Sequence, residues 1–180
     1  MGSMLRPSDI GTEFGSGRST LWLARRCAHL ISVEHDQVWH AKVSEVLAGQ
    51  GIRNVDYRCH PEDESDQAGE ASDYVQAARL LGDESIDFAL VDGLYRDYVT
   101  LVVLPKIKPG GMLIIDNVNW FLPSLTRSPN SRRPSQVPAT AAWEQVAVEL
   151  AGWRRIWTSS GVWDTAIFVK APGATACSGR

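Results

Sequence analysis

Two kinds of hydrophobic segment alternate along this chain. Short runs rich in apolar residues predict buried strands, and longer segments with apolar residues three or four positions apart predict helices. The predicted strands are residues 10–14, 30–33, 55–59, 86–91, 112–115, 155–158 and 165–170. The predicted helices are residues 19–28, 37–48, 74–81, 99–105 and 139–151. This alternation is typical of a mostly parallel sheet covered on both faces, and the last two strands are expected to form an antiparallel pair at one edge.

A glycine-rich turn, residues 13–20, separates the first predicted strand from the first helix. Gly15 allows a tight turn, and Gly17 lets the backbone approach a ligand at the helix start, where N–H groups are unpaired. About 20 residues further on, Glu34 ends the second strand, where nucleotide-binding folds place an acid for ribose hydroxyls. The pattern indicates a nucleoside-binding site. The alternative is a structural turn, with Glu13 a solvated carboxylate and Glu34 a helix cap.

The sequence Glu-x-Gly-x-Gly-x-Ser at residues 13–19 resembles motif I of class I S-adenosylmethionine-dependent methyltransferases. The Lys-Pro-Gly-Gly sequence at residues 108–111, predicted as a turn, resembles a second hallmark of that family. An NAD-binding fingerprint would have a third glycine where this chain has Thr20. The resemblance extends over residues 9–170. It implies a Rossmann-like fold, a three-layer, doubly wound α/β structure with a mostly parallel seven-stranded sheet and a reversed C-terminal strand.

The resemblance implies a set of residues that hold S-adenosyl-L-methionine and its product S-adenosyl-L-homocysteine. It places the glycine turn, residues 15–17, beside the methionine part of the cofactor. Glu34 is expected on the ribose, with His35 beside the adenine. The full cofactor-binding set is Glu13, Gly15, Ser16, Gly17, Ser19, Glu34, His35 and Asp92.

Polar side chains follow the fourth and fifth predicted strands. Asp92 comes directly after the fourth strand, and Asp116 and Asn117 follow the fifth. Carboxylate and amide oxygens are hard ligands suited to Mg²⁺ or Ca²⁺. The pattern resembles the metal site of catechol-type and caffeoyl-CoA-type O-methyltransferases. It implies catalytic roles for Asp92 and Asp116, through an ion that would orient the acceptor hydroxyl and lower its pKa.

The resemblance is incomplete at Tyr95, where those enzymes have a lysine. A neutral phenol cannot act as that lysine does, and the neighbouring Arg96 stays protonated and cannot serve as a base. Two interpretations therefore remain. Either a metal-bound hydroxyl needs little basic help, or the site has no metal, Asp92 lines the cofactor pocket, and residues 116–117 are turn or capping groups. In the metal-free case His60, after the third strand, is the candidate general base.

Acceptor contacts are assigned to Tyr95, Arg96 and Trp120. Trp120 follows the Asp-Asn pair and offers a ring that could stack on an aromatic or sugar acceptor. Residues 121–138 are rich in Pro, Ser and Arg, which predicts a mobile loop. Its arginines belong either to a solvated loop or to a lid that contacts an acidic or phosphorylated acceptor. They are Arg127, Arg132 and Arg133.

The remaining histidines and the cysteines carry no predicted chemistry. His29 and His40 are expected on helices and in solvent. An odd number of widely spaced cysteines supports neither a disulfide framework nor a zinc site, so they are interpreted as free thiols. They are Cys27, Cys59 and Cys177.

Length and composition are those of one globular domain: 180 residues, 44% hydrophobic and 22% charged. The net charge of −3 and a pI of about 5.8 argue against a nucleic-acid partner. No apolar run reaches the roughly 18 residues of a membrane helix, and the N-terminus has no hydrophobic signal core, so a cytoplasmic protein is expected. Residues 1–8 are interpreted as a short arm with a tag remnant, 9–171 as the catalytic domain, and 172–180 as a disordered tail.

The sequence therefore predicts methyl transfer to a small-molecule acceptor, on a hydroxyl oxygen. The alternatives are a non-catalytic cofactor-binding or interaction protein, an NAD-dependent oxidoreductase, and a nucleic-acid methyltransferase. The last lacks support because no Asn-Pro-Pro-Tyr-like tetrapeptide follows the fourth strand. About a dozen residues precede the glycine turn, whereas related enzymes have extra N-terminal helices over the acceptor. A homodimer or the 121–138 loop is expected to close the pocket.

Overall fold

A seven-stranded sheet forms the centre of the molecule. The computed structural model describes residues 2–62 and 69–172. The strands are Ile10–Phe14 (β1), His29–Glu34 (β2), Val55–Cys59 (β3), Ile86–Val91 (β4), Ile107–Ile115 (β5), Arg154–Ser159 (β6) and Asp164–Val169 (β7). Their order is β3-β2-β1-β4-β5-β7-β6; β1 to β5 pair in parallel, and β7 is antiparallel to both β5 and β6. The predicted Rossmann-like sheet with a reversed C-terminal strand is confirmed.

Helices cover both faces of this sheet. They are Arg18–Ala24 (α1), Gln37–Gly49 (α2), Asp73–Arg79 (α3), Arg96–Val103 (α4) and Ala141–Leu150 (α5). Successive strand residues point to opposite faces, so β4 sends Ala89 and Val91 to one core and Phe88 and Leu90 to the other. The first core is completed by α3, α4 and α5, and the second by Leu23 and Ala24 of α1. The predicted three-layer arrangement therefore holds.

Several predicted element boundaries were wrong, and helix α4 begins at Arg96 and not at residue 99. The Lys-Pro-Gly-Gly sequence lies inside β5 as an irregular bulge, because Ile86 pairs with Ile107 and Phe88 pairs with Met112. One residue of β4 therefore faces the four residues 108–111 of β5. Helix α1 ends at Ala24, not near residue 28, and His29 is an exposed residue that begins β2 and not a helical one.

The two ends of the chain differ in what the structure describes. Leu5 is buried and Met4 packs against the second core, and the domain limits drawn above stay predictions.

Cys27 and Cys59 are free thiols, while Cys177 and the tail from residue 173 lie outside the described residues. So do residues 63–68, which belong to the acidic, polar segment 61–72 that the sequence predicts as a loop. In the part of the chain that is described, no helix has both the length and the apolar character needed to cross a membrane.

Candidate active site

The order of strands in the sheet reverses between β1 and β4, which is the topological switch point. The carboxyl ends of these two strands lie side by side there. The amide of Asp92 donates to the carbonyl of Phe14 at 2.8 Å. Gly15 has φ +95°, and a Cβ atom on it would lie 2.7 to 2.9 Å from the backbone of Gly93 and Asp92. Only glycine fits this turn, for conformational and packing reasons alike. In open α/β sheets the crevice at such a reversal is where ligands bind.

Glu34 fastens the glycine turn to the end of β2. The amide and the hydroxyl of Ser16 donate to its Oε2 at 2.9 and 2.6 Å, and the amides of His35 and Asp36 donate to Oε1 at 2.8 and 2.9 Å. The carboxylate is 2% exposed. Burial alone would raise the pKa of Glu34, but these hydrogen bonds outweigh burial and hold it below its ordinary value. Glu34 is thus a buried, ionised anchor, and the cap of α2 is Asp36.

Neither the backbone conformation nor the contacts of Gly17 within the protein require a glycine at this position. Its φ of 166° is extended backbone open to any residue. Among the described residues beyond its chain neighbours, the nearest atom to a Cβ on Gly17 would be 3.9 Å away, on the ring of Trp39. That ring is 44% exposed, and its Nε1 donates to the carbonyl of Ser16 at 2.9 Å. The space beside Gly17 and Trp39 fits the close approach of a ligand to the glycine turn.

Two backbone donors of this turn, which precede the helix, are engaged within the protein. The amide of Ser16 donates to Glu34, and the amide of Gly17 donates to Oγ1 of Thr20 at 2.9 Å. The cofactor fit therefore depends on the open space at Gly17 and on the carboxylate of Glu34. It does not depend on a row of free amides.

Glu13 lies beneath the turn and is fully buried, so the alternative of a solvated carboxylate was wrong. The hydroxyls of Ser19 and Ser32 donate to its two oxygens at 3.0 and 3.1 Å. Burial raises the pKa of Glu13 to about 7, and these hydrogen bonds oppose the rise. Glu13 and Ser19 therefore brace the turn from inside.

His35 lies on the same side of the crevice, next to the buried ring of Tyr74. The two rings meet edge to face, with centroids 6.0 Å apart. The Nδ1 atom of His35 is 3.0 Å from Oε1 of Glu34, without hydrogen-bond geometry. The Tyr74 hydroxyl packs so close to Gly93 that a Cβ there would lie 1.9 Å from it. These contacts bring the loops after β2 and β4 together around the predicted cofactor position.

The guanidinium of Arg96, the first residue of α4, lies at the centre of the predicted metal site. Its Nε donates to the carbonyl of Gly93 at 3.0 Å. Nη1 donates to the carbonyl of Asp116 at 2.6 Å and to Oδ1 of Asn117 at 2.9 Å. Nη2 donates to the carbonyl and to Oδ1 of Asp92 at 2.9 and 3.0 Å. The structure brings together all three predicted metal ligands, but around an arginine.

The two carboxylates of this cluster lie close together. Burial raises the pKa of Asp92 to about 6, Arg96 opposes the rise, and Asp116 adds to it by charge and by a hydrogen bond between the side chains. The pKa of Asp92 is raised although 42% of its side chain is exposed. The hydroxyl of Thr165 on β7 donates to Oδ1 of Asp116. The cluster thus holds its carboxylates with neighbouring protein donors.

This donor set does not fit a divalent ion as it stands. One side-chain oxygen of each predicted ligand is already engaged: Asp92 and Asn117 accept from Arg96, and Asp116 accepts from Thr165. The Arg96 guanidinium thus lies among these oxygens, where the ion would have to bind. We therefore assign no chemical step to Mg²⁺.

An apolar cavity of about 300 Å³ opens next to Arg96. Its aromatic wall is Phe121, stacked on Trp143 with centroids 5.0 Å apart, and the Arg96 guanidinium lies 5.8 Å from the Phe121 ring. The lining residues are Gly93, Leu94, Tyr95, Arg96, Asp97, Phe121, Ala139, Thr140 and Trp143. A larger cavity of about 540 Å³ lies at the opposite edge of the sheet, beside Asp9 and Asp87, away from the glycine turn.

Of the other predicted acceptor residues, Tyr95 lines this cavity and Trp120 contacts its Phe121 wall. Tyr95 has a left-handed backbone, φ +45°, and its hydroxyl donates to Glu62 at 3.4 Å. Trp120 is 41% exposed and meets Phe121 edge to face, with centroids 6.3 Å apart. Both side chains are therefore placed near the cavity that Arg96 borders.

The structure does not bring His60 to this cluster. His60 follows β3, three strand positions from β4, which corresponds to roughly 14 Å at the usual strand spacing. Its amide donates to the carbonyl of Glu34 at 2.8 Å. His40 lies on α2 as predicted, but its ring stacks on Tyr57 with centroids 4.1 Å apart and is half-buried.

The loop at residues 121–138 is anchored through Ser128 and Ser131 in its middle part. The hydroxyl of Ser128 donates to Asp164 at 2.6 Å, and the amide nitrogen of the Asn119 side chain donates to Ser131 at 3.0 Å. Arg132 and Arg133 donate to carbonyl groups of the loop and its flanks, including Val137 and Thr126. These two arginines thus stabilise the loop from within, and its mobility stays a prediction.

Sequence reasoning missed two features of the site. Trp39 is absent from the predicted site residues, although a first-turn residue of a helix that follows a parallel strand must lie at the ligand-binding edge. That position was the available signal. The second missed feature is the stacking of Phe121 on Trp143. It joins a predicted loop to a helix, and no local sequence pattern predicts such a contact.

Comparisons with known proteins agree with this geometry. A family model described as a methyltransferase domain matches residues 12–118, from β1 to the turn after β5, which is more than half of the chain. Curated protein sequences gave no match.

Three solved structures share the fold at low identity. A candidate caffeoyl-CoA O-methyltransferase from Staphylococcus aureus has 15% identity and a TM-score of 0.62, covering 91% of this chain and 76% of that one. A candidate methyltransferase from Streptococcus mutans, in complex with S-adenosylhomocysteine, has 11% identity and a TM-score of 0.61, covering 94% and 92%. An rRNA methylase from Streptococcus thermophilus has 14% identity and a TM-score of 0.58, covering 95% and 91%.

Proposed function

We propose, on the premise that this chain belongs to the methyltransferase domain family and uses S-adenosylmethionine, that its acceptor is a small molecule methylated on a hydroxyl oxygen. The observation that carries the proposal is the apolar cavity bordered by Arg96, whose guanidinium binds Asp92. Its volume of about 300 Å³ is at the lower end of small-ligand pockets, and its Phe121 and Trp143 wall suits a flat ring.

The cofactor is expected across the glycine turn. In this proposal the methionine part lies along residues 15–17, Glu34 accepts from the ribose hydroxyls, and His35 lies beside the adenine. The Ser16 hydroxyl shares Oε2 of Glu34 and is the donor that would exchange with ribose, since the backbone amides hold the carboxylate in place. The bound cofactor supplies an electrophilic methyl group on a positively charged sulfur.

Asp92 is the proposed proton acceptor. It follows β4, directly precedes the cavity-lining Gly93 and binds the guanidinium of Arg96, and 42% of its side chain is exposed. With a pKa of about 6, it is ionised at pH 7.5 and is a stronger base than an ordinary aspartate. The acceptor hydroxyl would give its proton to Asp92 as its oxygen takes the methyl group, and S-adenosylhomocysteine would leave.

The first experiment separates cofactor classes. S-adenosylhomocysteine should raise the melting temperature, and NAD should leave it unchanged. A rise with NAD alone would favour the oxidoreductase alternative.

The second experiment identifies the acceptor class. Transfer of a labelled methyl group would be measured on phenols, sugars, carboxylic acids and ribosomal RNA in parallel. Label on phenols supports the proposal, and label on RNA alone contradicts it. Binding of S-adenosylhomocysteine without transfer to any acceptor would favour a non-catalytic protein.

The proposal also includes a cytoplasmic homodimer whose second subunit helps to close the cavity. Sedimentation equilibrium under assay conditions measures the association state. An active monomer would remove the partner subunit from the mechanism.

A further inference from the structure

Arg96 is a cation that the fold itself supplies at the carboxyl edge of the sheet. A guanidinium has five N–H donors, and here five acceptors take them. The side chain is only 16% exposed. With every donor satisfied, the planar group is fixed in position and orientation, as a lysine ammonium would not be.

The residues that hold this guanidinium are those whose sequence suggested a metal site. Asp92 contributes a backbone and a side-chain oxygen, Asp116 a backbone oxygen, and Asn117 its amide oxygen. A divalent ion on these oxygens would lie within a few ångströms of the guanidinium. Two cations that share one set of acceptors repel strongly where protein displaces water.

The position of the charge matters because Arg96 also borders the cavity. Its guanidinium lies 5.8 Å from the ring of Phe121, on the cavity wall. A positive charge there favours an acceptor oxygen that becomes negative as it loses its proton. Since its N–H groups are all engaged, Arg96 acts through its charge and by orienting Asp92.

We propose that Arg96 takes the place of the divalent cation in this chain, as a positioning residue of a site that methylates a single hydroxyl group without a metal. The inference deepens the proposed function and rests on it for the acceptor. A metal ion can hold two neighbouring oxygens of an acceptor, whereas a guanidinium with no spare donor cannot. A phenol with one hydroxyl should therefore react as well as its vicinal diol counterpart.

The direct test is the binding of Mn²⁺, with no acceptor present. Electron paramagnetic resonance measures this binding in the presence of saturating S-adenosylhomocysteine. The wild-type protein should show no saturable Mn²⁺ site at Mn²⁺ concentrations up to about 1 mM, which corresponds to weak binding. Arg96→Met removes the charge and frees the oxygens, so this variant should bind one Mn²⁺ with a dissociation constant at least about tenfold below that 1 mM limit. The double variant Arg96→Met/Asp116→Asn should lose that site.

The matched control is Arg132→Met, which removes a second arginine held by backbone carbonyls and lies outside the cluster. It should leave Mn²⁺ binding at the wild-type level. Near-UV circular dichroism checks folding, and Arg96→Gln replaces Arg96→Met if the latter unfolds. Two results would overturn the inference: saturable Mn²⁺ binding by the wild-type protein that Asp116→Asn removes, or no gain of binding in the folded Arg96 variant.

Transfer assays complete the test and separate the two proposals. Excess chelator should leave the rate of wild-type methyl transfer unchanged, and loss of activity that Mg²⁺ restores would overturn the role of Arg96. That result would leave the proposed methyltransferase activity intact. Absence of transfer to any acceptor would instead reject the proposed function, while the Mn²⁺ measurements would still decide whether Arg96 stands in the cation position.

Discussion

Ser16 donates both its hydroxyl and its amide to one oxygen of Glu34, at 2.6 and 2.9 Å. The other oxygen of Glu34 accepts the amides of His35 and Asp36. The carboxylate therefore joins the glycine turn to the end of β2 before any ribose is bound. The proposed ribose contact would therefore belong to the same hydrogen-bond set as this structural contact.

Replacing Glu34 should weaken cofactor binding and also lower stability. Glu34→Ala removes the ribose acceptor and leaves buried amides without a partner, so S-adenosylhomocysteine affinity should fall by about 1–3 kcal/mol, roughly 5- to 150-fold. Isothermal titration calorimetry measures the affinity and chemical unfolding the stability. Asp36→Ala is the matched control, because it removes a neighbouring acid that caps α2 and leaves Glu34 in place. Wild-type affinity in folded Glu34→Ala would contradict the ribose assignment.

The two glycines of the turn should respond in opposite ways. Gly15→Ala forces a side chain into a left-handed backbone and against the backbone of Asp92 and Gly93, so it should lower the melting temperature markedly. Gly17→Val meets only an exposed Trp39 ring and should fold normally, but its side chain fills the proposed ligand space. Thermal melts with and without S-adenosylhomocysteine check both. A wild-type ligand-induced shift in Gly17→Val would remove the turn from the cofactor site.

The sheet and the glycine turn could be predicted from sequence because their signals are local. The run at residues 86–91 is apolar except for Asp87 because β4 is covered on both faces, and Glu34 ends its strand at a fixed spacing from Gly15. The Lys-Pro-Gly-Gly sequence shows the limit of that reasoning. Its residues suit a turn, but pairing with β4 on both sides keeps them inside β5 as a bulge.

The contents of the candidate site could be predicted only in part. Asp92, Asp116 and Asn117 were placed correctly at one edge, since parallel strands end together. The role of Arg96 depends on how the start of α4 packs against the turn after β5, and the bond from Thr165 needs β7 to lie beside β5. These are contacts between segments far apart in sequence, and no periodicity encodes them.

The loop at residues 121–138 should respond to acceptor only in its exposed part. Ser128 and Ser131 are buried and hydrogen-bonded, so their surroundings should be protected from hydrogen exchange in every state. Residues 133–137 are exposed and should exchange fast, then slow when acceptor binds to the cofactor complex. Exchange measured by mass spectrometry tests this. Equal exchange at residues 133–137 with and without acceptor would rule out a lid.

Glu13 should make the folded protein less stable as pH rises. Its pKa is raised by burial to about 7, so the folded state keeps the proton between about pH 4.5 and pH 7 while the unfolded state has lost it. The free energy of unfolding must therefore fall across that window, by up to about 3 kcal/mol for a shift of this size. Glu13→Gln cannot titrate and keeps the shape of the side chain. It should match the wild-type protein near pH 4 and exceed it in stability at pH 8.

The comparison must isolate Glu13, because Asp92 titrates in the same direction up to about pH 6. Asp92 is present in both proteins, so its own titration cancels from the difference between the wild-type and Glu13→Gln unfolding curves. What remains is the titration of Glu13, including the small part of its raised pKa that the charge of Asp92 causes. Glu34→Gln provides a control of opposite sign, since the lowered pKa of Glu34 stabilises the folded state above its unfolded pKa, and this stabilisation is lost as pH falls. Parallel stability curves for wild type and Glu13→Gln from pH 4 to pH 8 would mean that Glu13 is not protonated beneath the glycine turn.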